Sequence, residues 1–321
     1  MSISAGGLVM GQGDFRYRPV PDWGVLDAST PVKNCNAIKQ DREGNVILLA
    51  DHTANNVIIY DRAGRLVNKW GTDLPGAHGL TILTEANREV LFMTCTVTSR
   101  VRKTTLDGEV LQEWNWPEHT GKYTKSADYM PAWTLHHPNG DFFILDGYGR
   151  DYILHYGADG AFKAIFGGAE GGIGHWGPHG GIMDTWSAAE PTLLIAMCDQ
   201  QHLLRVSVKG EKLQRVEMPG GNPRMFHRHK GHLFCPHIGD NWPADFDSRG
   251  YVSVLDADLR VVANIGGAAP IYDASGVLLP MKHQEEFFIH PHDVVVDAKD
   301  GSLYVAQASS KETYPIKLER V

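Results

Sequence analysis

Hydrophobic and polar residues alternate along short stretches of the chain, and a turn rich in Gly or Asp separates each pair of stretches. The clearest examples span residues 57–67 and 152–162, and looser copies follow at 103–111, 204–213 and 252–261. A period of two residues is typical of a β-strand with one buried face. Two such strands joined by a short turn predict an antiparallel hairpin.

Several of these hairpins follow a second one, whose turn is found at residues 41–45 and 137–141 and again at 297–301. Two consecutive hairpins make a four-stranded meander, and the meander recurs about every 45 to 50 residues. This period is typical of the blades of a β-propeller. The sequence therefore predicts an all-β fold of six four-stranded antiparallel blades, which begin near residues 33, 76, 129, 176, 221 and 288.

The sixth blade has three evident strands, at residues 293–297, 302–306 and 316–321, and an unpaired strand is predicted at residues 15–20. A closed propeller ring leaves only short, protected sheet edges, and each complete blade has four strands. We therefore expect the strand at 15–20 to complete the sixth blade, so that residues 1–321 form a single propeller domain.

Composition narrows the function classes. The chain has 321 residues, 42% of them hydrophobic, and a formal net charge of −8 from 30 basic and 38 acidic residues. With no basic cluster interleaved with aromatic residues, nucleic acid is not an expected partner. The sequence shows neither a membrane-spanning segment nor a signal peptide, which predicts a cytoplasmic protein that does not bind membranes. The sequence does not indicate an oligomeric state.

Histidines recur at one place in alternate blades. The first strand of each blade lines the central channel, and alignment of the hairpins places six residues at the start of these strands: Asn36, His78, Ala132, His179, Arg224 and His292. Three imidazoles about 120° apart predict an open metal site with a free position for water or substrate. Zn²⁺ is the expected ion, and Fe²⁺, Co²⁺ or Mn²⁺ would suit the same ligands.

Short motifs resemble the peptidyl-α-hydroxyglycine α-amidating lyase domain and, more widely, the NHL-repeat six-bladed propellers. The segments around His78, Pro178-His179 and Pro291-His292-Asp293 are similar to the zinc-binding segments of that lyase, and Leu145-Asp146-Gly147-Tyr148 is similar to its Ser-Asp-Gly-Tyr segment. The resemblance implies zinc on the three histidines and Tyr148 as the catalytic base. It also implies a structural calcium with Asp293 and the carbonyl of Leu80 among its ligands.

The resemblance has gaps, because the two arginines with which that lyase grips the substrate carboxylate have no counterpart in blades one and four. Arg224 on the inner strand of blade five and Arg150 near Tyr148 offer guanidinium forks that suit an anion. His237 is a candidate proton donor or substrate contact, or a structural histidine held by a carbonyl. Trp133 and Trp176 are candidates for an apolar wall beside a ligand, or for core packing.

These observations predict a metal-dependent lyase that acts at the channel on a small α-hydroxy amide-like or related molecule, with Tyr148 as general base. A metal-dependent hydrolase or lactonase on the same fold is the first alternative. The second is a non-catalytic NHL-type propeller that binds a protein or carbohydrate. A calcium-dependent lactonase would need Asp, Glu and Asn around the axis rather than three histidines.

Overall fold

In the computed structural model, residues 7–168, 177–186, 189–239 and 241–321 are described. These residues form six four-stranded antiparallel sheets arranged as the blades of a ring, so the predicted six-bladed propeller is confirmed. Helical structure in the described ranges is confined to short 3-10 turns at Glu118–Thr120, Ser126–Asp128 and Cys198–Gln200. None of the described helices has the length and apolar character needed to cross a membrane.

The strands are numbered β1 to β24 in chain order, and β1 is Tyr17–Val20. Blade one contains β2 (Cys35–Gln40), β3 (Val46–Ala50), β4 (Val57–Tyr60) and β5 (Leu66–Trp70). Blade two contains β6 (Ala77–Glu85), β7 (Arg88–Cys95), β8 (Arg100–Thr105) and β9 (Val110–Asn115). Blade three contains β10 (Trp133–His136), β11 (Phe142–Leu145), β12 (Tyr152–Tyr156) and β13 (Phe162–Gly167).

Blade four contains β14 (Pro178–Asp184), β15 (Thr192–Met197), β16 (His202–Ser207) and β17 (Lys212–Glu217). Blade five contains β18 (His227–His229), β19 (His232–His237), β20 (Tyr251–Leu255) and β21 (Val261–Ile265). Blade six contains β22 (Pro291–Val296), β23 (Leu303–Gln307) and β24 (Ile316–Arg320), with β1 as its outer strand. The start predicted near residue 176 for blade four lies outside the described residues.

The N-terminal strand closes the ring as predicted. β1 pairs antiparallel with β24, with Tyr17 opposite Arg320 and Val20 opposite Lys317. The strand begins at residue 17 rather than 15, because the amide of Phe15 bonds to the carbonyl of Gln12 in a turn. The two ends of the chain are thus joined in one sheet, and blade six has four strands like the other blades, with β1 as its outer edge.

Burial follows the position of each strand within its blade. All five residues of β3 are buried because this strand lies between neighbouring blades, whereas the outer strand β5 is half-buried or exposed. Gly44 and Gly140 in the predicted hairpin turns have φ of 90° and 92°, a conformation that L-residues with side chains rarely adopt. The glycines thus allow the tight turns that connect neighbouring strands within a blade.

Candidate metal centre and active site

Three histidines converge on the channel axis at one mouth of the propeller. His78, His179 and His292 are each the second residue of an inner strand, in β6, β14 and β22. Their ring centroids form a nearly equilateral triangle with sides of 4.8, 4.8 and 4.9 Å. All three side chains are buried, and one ligand nitrogen from each lies within 4.8 Å of the others.

Backbone carbonyls of the next blade fix the orientation of these rings. In each case Nδ1 donates a hydrogen bond to a carbonyl oxygen, so that Nε2 keeps its lone pair and faces the axis. The pairs are His78 with Ala132 at 2.9 Å, His179 with Arg224 at 3.0 Å, and His292 with Asn36 at 2.6 Å. A carbonyl on the distal nitrogen is the usual support of a metal-binding histidine.

Glycine next to the histidine makes this approach possible in two of the three blades. A Cβ on Gly79 would lie 2.4 Å from the carbonyl oxygen of Ala132, and a Cβ on Gly180 would lie 2.3 Å from that of Arg224. Both distances are far below van der Waals contact. The His-Gly pairs of blades two and four therefore let the neighbouring strand approach closely enough to bond to Nδ1.

The histidines are held in the neutral form that metal binding needs. Burial lowers the pKa of His78 to about 4 and that of His179 and His292 well below the ordinary value, and the positive charge of Arg224 contributes in each case. Three neutral imidazoles with one open side fit a catalytic zinc ion, which takes three protein ligands and water. His78, His179 and His292 would hold such an ion through Nε2, and the ion would supply positive charge at this point.

Tyr148 points its hydroxyl at two of these histidines. The oxygen lies 3.1 Å from Nε2 of His78 and 2.8 Å from Nε2 of His179, while 37% of the residue surface is exposed at the mouth. Burial of the hydroxyl end raises the pKa of Tyr148 above its ordinary value, and the nearby guanidinium of Arg224 opposes that rise. The phenol therefore lies beside the metal ligands but needs further positive charge to ionise.

A buried carboxylate shapes the turn that carries Tyr148. Asp146 accepts hydrogen bonds from the Tyr123 hydroxyl at 2.8 Å and from the amides of Met130 at 2.7 Å and Arg150 at 2.8 Å. Burial nevertheless raises the pKa of Asp146 to about 7. In the sequence, this residue stood out only as part of the Leu145-Asp146-Gly147-Tyr148 motif. Its place two residues before the tyrosine was the available signal for its positioning role.

Arg224 provides a buried positive charge at the same mouth. Its side chain is 2% exposed, and Nε and one terminal nitrogen have no hydrogen-bond partner among the described residues. The guanidinium lies 5.2 Å from the ring centroid of Trp242, and its nearest described carboxylate oxygen belongs to Asp199 at 3.9 Å. A buried guanidinium with free donors is suited to accept an anionic group of a ligand.

A cavity of about 380 Å³ opens at this mouth beside the histidines. A volume of this order suits a small molecule. Its wall includes His78, Tyr148, Arg224, Trp242, His290 and His292. His290 accepts from the amide of Gly239 at 3.0 Å and bonds to the carbonyl of Phe246 at 2.9 Å, and so fixes the segment that carries Trp242. Neither Trp242 nor His290 could be identified from the sequence, because their roles depend on contacts between blades five and six.

Two other predicted site residues lie apart from this cavity. Arg150 is half-exposed and pairs with Asp128 at 3.1 Å, and it is not among the cavity-lining residues. His237 ends β19 and is completely buried, with its ring stacked on Tyr251 at a centroid distance of 4.7 Å. Neither ring nitrogen of His237 has a hydrogen-bond partner within the described ranges.

The residues expected to hold calcium are buried on the inner strands. Leu80 lies in β6 and Asp293 follows His292 in β22, and both are inaccessible to solvent. The Asp293 carboxylate is already paired with the ammonium of Lys39 at 2.5 Å. Trp133 is fully buried in the core and also lies under Lys39, and Trp176 lies outside the described residues.

No family model matches the chain, and the comparison with curated proteins finds no match. Solved structures do match its fold. A streptogramin B lyase structure superposes with a TM-score of 0.58 at 16% identity, covering 91% of this chain and 95% of the other. Virginiamycin B lyase from Staphylococcus aureus gives a TM-score of 0.56 at 13% identity, over 92% and 98%. At these identities the likeness shows the propeller fold alone.

Proposed function

We propose that this protein is a metal-dependent lyase that cleaves a small α-hydroxy amide-like molecule at the mouth of the channel. The observation that carries the proposal is the convergence of three neutral histidines with the hydroxyl of Tyr148 at one buried point. A divalent transition ion, with zinc the expected one, would be held by His78, His179 and His292. The lyase neighbours lend support through their shared fold.

When bound, the ion supplies positive charge that lowers the pKa of a nearby hydroxyl and of the phenol. Tyr148, as phenolate, takes the proton of the substrate hydroxyl. As the carbon–oxygen double bond forms, the carbon–nitrogen bond breaks, and the proton passes from Tyr148 to the departing amide nitrogen. An aldehyde or keto acid and an amide result, so that atoms and protons balance without water.

Arg224 gives the site its preference for an anionic group. Arg224 lines the same cavity as His78 and Tyr148, and two of its buried donor nitrogens have no partner among the described residues. A carboxylate on the substrate would neutralise this buried charge and turn the reacting hydroxyl toward the histidines. The expected substrate is therefore a small α-hydroxy amide with a carboxylate, and no macromolecular partner is required.

Elemental analysis of the purified protein, combined with an anomalous-scattering map, tests the metal. We expect about one equivalent of zinc or another divalent transition ion, within bonding distance of the three histidines. His179→Ala should lose the ion. His202→Ala is the matched control, because His202 is also buried and bonds through Nδ1 to a carbonyl, that of Gln200, but lies in β16. Metal well below one equivalent, or full retention in His179→Ala, would contradict the proposal.

Activity is tested separately with N-acyl α-hydroxy amides that carry or lack a carboxylate. Formation of the aldehyde or keto acid is followed by hydrazone trapping, and the amide by chromatography. Carboxylate-bearing compounds should be turned over faster. Release of an alcohol or acid by addition of water instead would make the enzyme a hydrolase.

A further inference from the structure

A buried ion pair between Lys39 and Asp293 lies on the inner strands beside the metal centre, and the proposed reaction does not use it. Asp293 follows the ligand His292 and is completely inaccessible to solvent. One carboxylate oxygen accepts the amide of Ile38 at 2.9 Å and the ammonium of Lys39 at 2.5 Å. These bonds join the first strand of blade six to the first strand of blade one.

The ammonium group of Lys39 is surrounded by groups that stabilise a positive charge. Its side chain is 12% exposed, and its Nζ donates to the carbonyl of Ile38 at 3.0 Å as well as to Asp293. The same nitrogen lies 5.1 Å from the ring centroid of Trp133. A carboxylate, a carbonyl and an aromatic face are three groups that stabilise positive charge.

This arrangement does not fit a calcium ion on Asp293. Calcium takes six to eight oxygen ligands at about 2.3–2.6 Å. One carboxylate oxygen of Asp293 already bonds to an amide and an ammonium, and a second cation there would be repelled by the first. We propose that Lys39 is the resident cation at Asp293, which replaces a structural calcium ion and links blade six to blade one beside His292.

The proposal predicts a specific energetic coupling. Removal of one partner of a buried ion pair leaves an uncompensated charge and is strongly destabilising, whereas replacement of both by neutral groups of similar size is tolerated. A double-mutant cycle isolates the interaction energy between Lys39 and Asp293, because the effects that each substitution has independently of the other cancel.

The first experiment measures thermal unfolding of the zinc-loaded wild type, Lys39→Met, Asp293→Asn and the double variant. Lys39→Met should lower Tm by about 5–10 °C. In the Asp293→Asn background the same change should lower Tm by less than half as much. An equal loss of Tm in both backgrounds would show that the two charges are not coupled and would overturn the proposal.

The second experiment uses the wild type alone and so does not depend on how the variants fold. The zinc-loaded protein is dialysed to equilibrium against about 5 mM radioactive calcium, which exceeds the dissociation constants of even the weakest protein calcium sites. We expect less than about 0.1 equivalent of calcium to be bound. Added calcium should leave Tm unchanged, since a ligand of the folded state would raise it. One equivalent of bound calcium, or a rise of several degrees, would overturn the proposal whether or not the histidines hold zinc.

Discussion

Nδ1 of His179 lies 3.0 Å from the carbonyl oxygen of Arg224, so that a residue of blade five orients a metal-binding ring of blade four. The same relation holds twice more around the axis. The six aligned positions at the starts of the inner strands therefore divide into three histidines and three residues whose carbonyl oxygens accept the bonds that orient them. Each ligand depends on the packing of two blades, and the last one, His292 on Asn36, depends on closure of the ring.

Gly180→Ala should weaken metal binding without removing a ligand. The added methyl would lie 2.3 Å from the Arg224 carbonyl and must push the two strands apart, which disturbs the bond to Nδ1 of His179. Loss of the hydrogen bond that orients a metal-binding histidine typically lowers metal affinity 10- to 100-fold. We expect a decrease in zinc affinity of about tenfold or more, measured by competition with a chromophoric chelator.

Gly7→Ala is the control for this change, because nothing lies within 4 Å of the added carbon and its φ is not left-handed. It should bind zinc as the wild type does. If Gly180→Ala bound zinc equally well, the contact between the His179 ring and the Arg224 carbonyl would not be needed for the site.

Tyr148→Phe should abolish turnover and keep the metal. The ring remains at the mouth of the cavity, but the hydroxyl that lies within 3.1 Å of two ligand nitrogens is lost. A general base contributes about 10²- to 10⁴-fold to kcat. The measurement is kcat together with zinc content. Tyr272→Phe, which removes a remote hydroxyl bonded to the carbonyl of Val261, should leave both unchanged. Turnover within a few-fold of wild type would exclude Tyr148 as the base.

Residue patterns along the chain were sufficient to predict the architecture and the convergence of the histidines. The period of the hairpins predicted six blades, and the unpaired N-terminal strand predicted closure, because blade six otherwise had three strands instead of four. Alignment of the blades placed His78, His179 and His292 together because each follows the same short turn into an inner strand. The position of each histidine can be read from the local sequence, since every blade repeats the same order of strands and turns.

The surroundings of the site were less accessible to sequence reasoning. Lys39 and Asp293 are 254 positions apart, and their pairing depends on the closed ring. The loop that brings Trp242 over Arg224 has no counterpart in the other blades, so the repeat could not locate it. In the sequence Arg224 was favoured over Arg150 by its place on an inner strand, but only packing shows that Arg150 pairs with Asp128 while Arg224 lines the cavity.

Arg224→Met should weaken binding of carboxylate-bearing substrates while zinc is retained. The substitution removes the side-chain charge but keeps the backbone carbonyl that orients His179. Loss of hydrogen bonds to a charged group costs about 1.5–3 kcal/mol, which corresponds to a 10- to 150-fold rise in KM. Tm should not fall, because a buried charge without full compensation destabilises the fold.

Arg150→Met is the matched control, since its guanidinium is half-exposed and bonded to Asp128. KM should stay within about twofold of wild type, as expected for the loss of a surface ion pair. An equal rise of KM in both variants would mean that the anion preference does not arise from the buried guanidinium.

His237→Phe should make the fold less sensitive to acid. Burial, together with the positive charge of Arg224, lowers the pKa of His237 to about 3, against about 6.5 in the unfolded chain. Between these values the unfolded chain binds a proton that the folded protein excludes, so stability is complete above pH 6.5 and is lost as the pH falls toward 3. At pH 5 the loss is about 1.5 × 1.36, or roughly 2 kcal/mol.

Phenylalanine has a similar shape for stacking on Tyr251 and cannot take up a proton. The difference in free energy of unfolding between pH 7 and pH 5, measured by urea denaturation, should therefore be about 2 kcal/mol smaller in the variant than in the wild type. His119→Phe, at an exposed position, should retain the wild-type difference. If His237→Phe also retained it, His237 would be protonated in the folded protein at pH 5, and the buried, uncharged ring stacked on Tyr251 would not persist in acid.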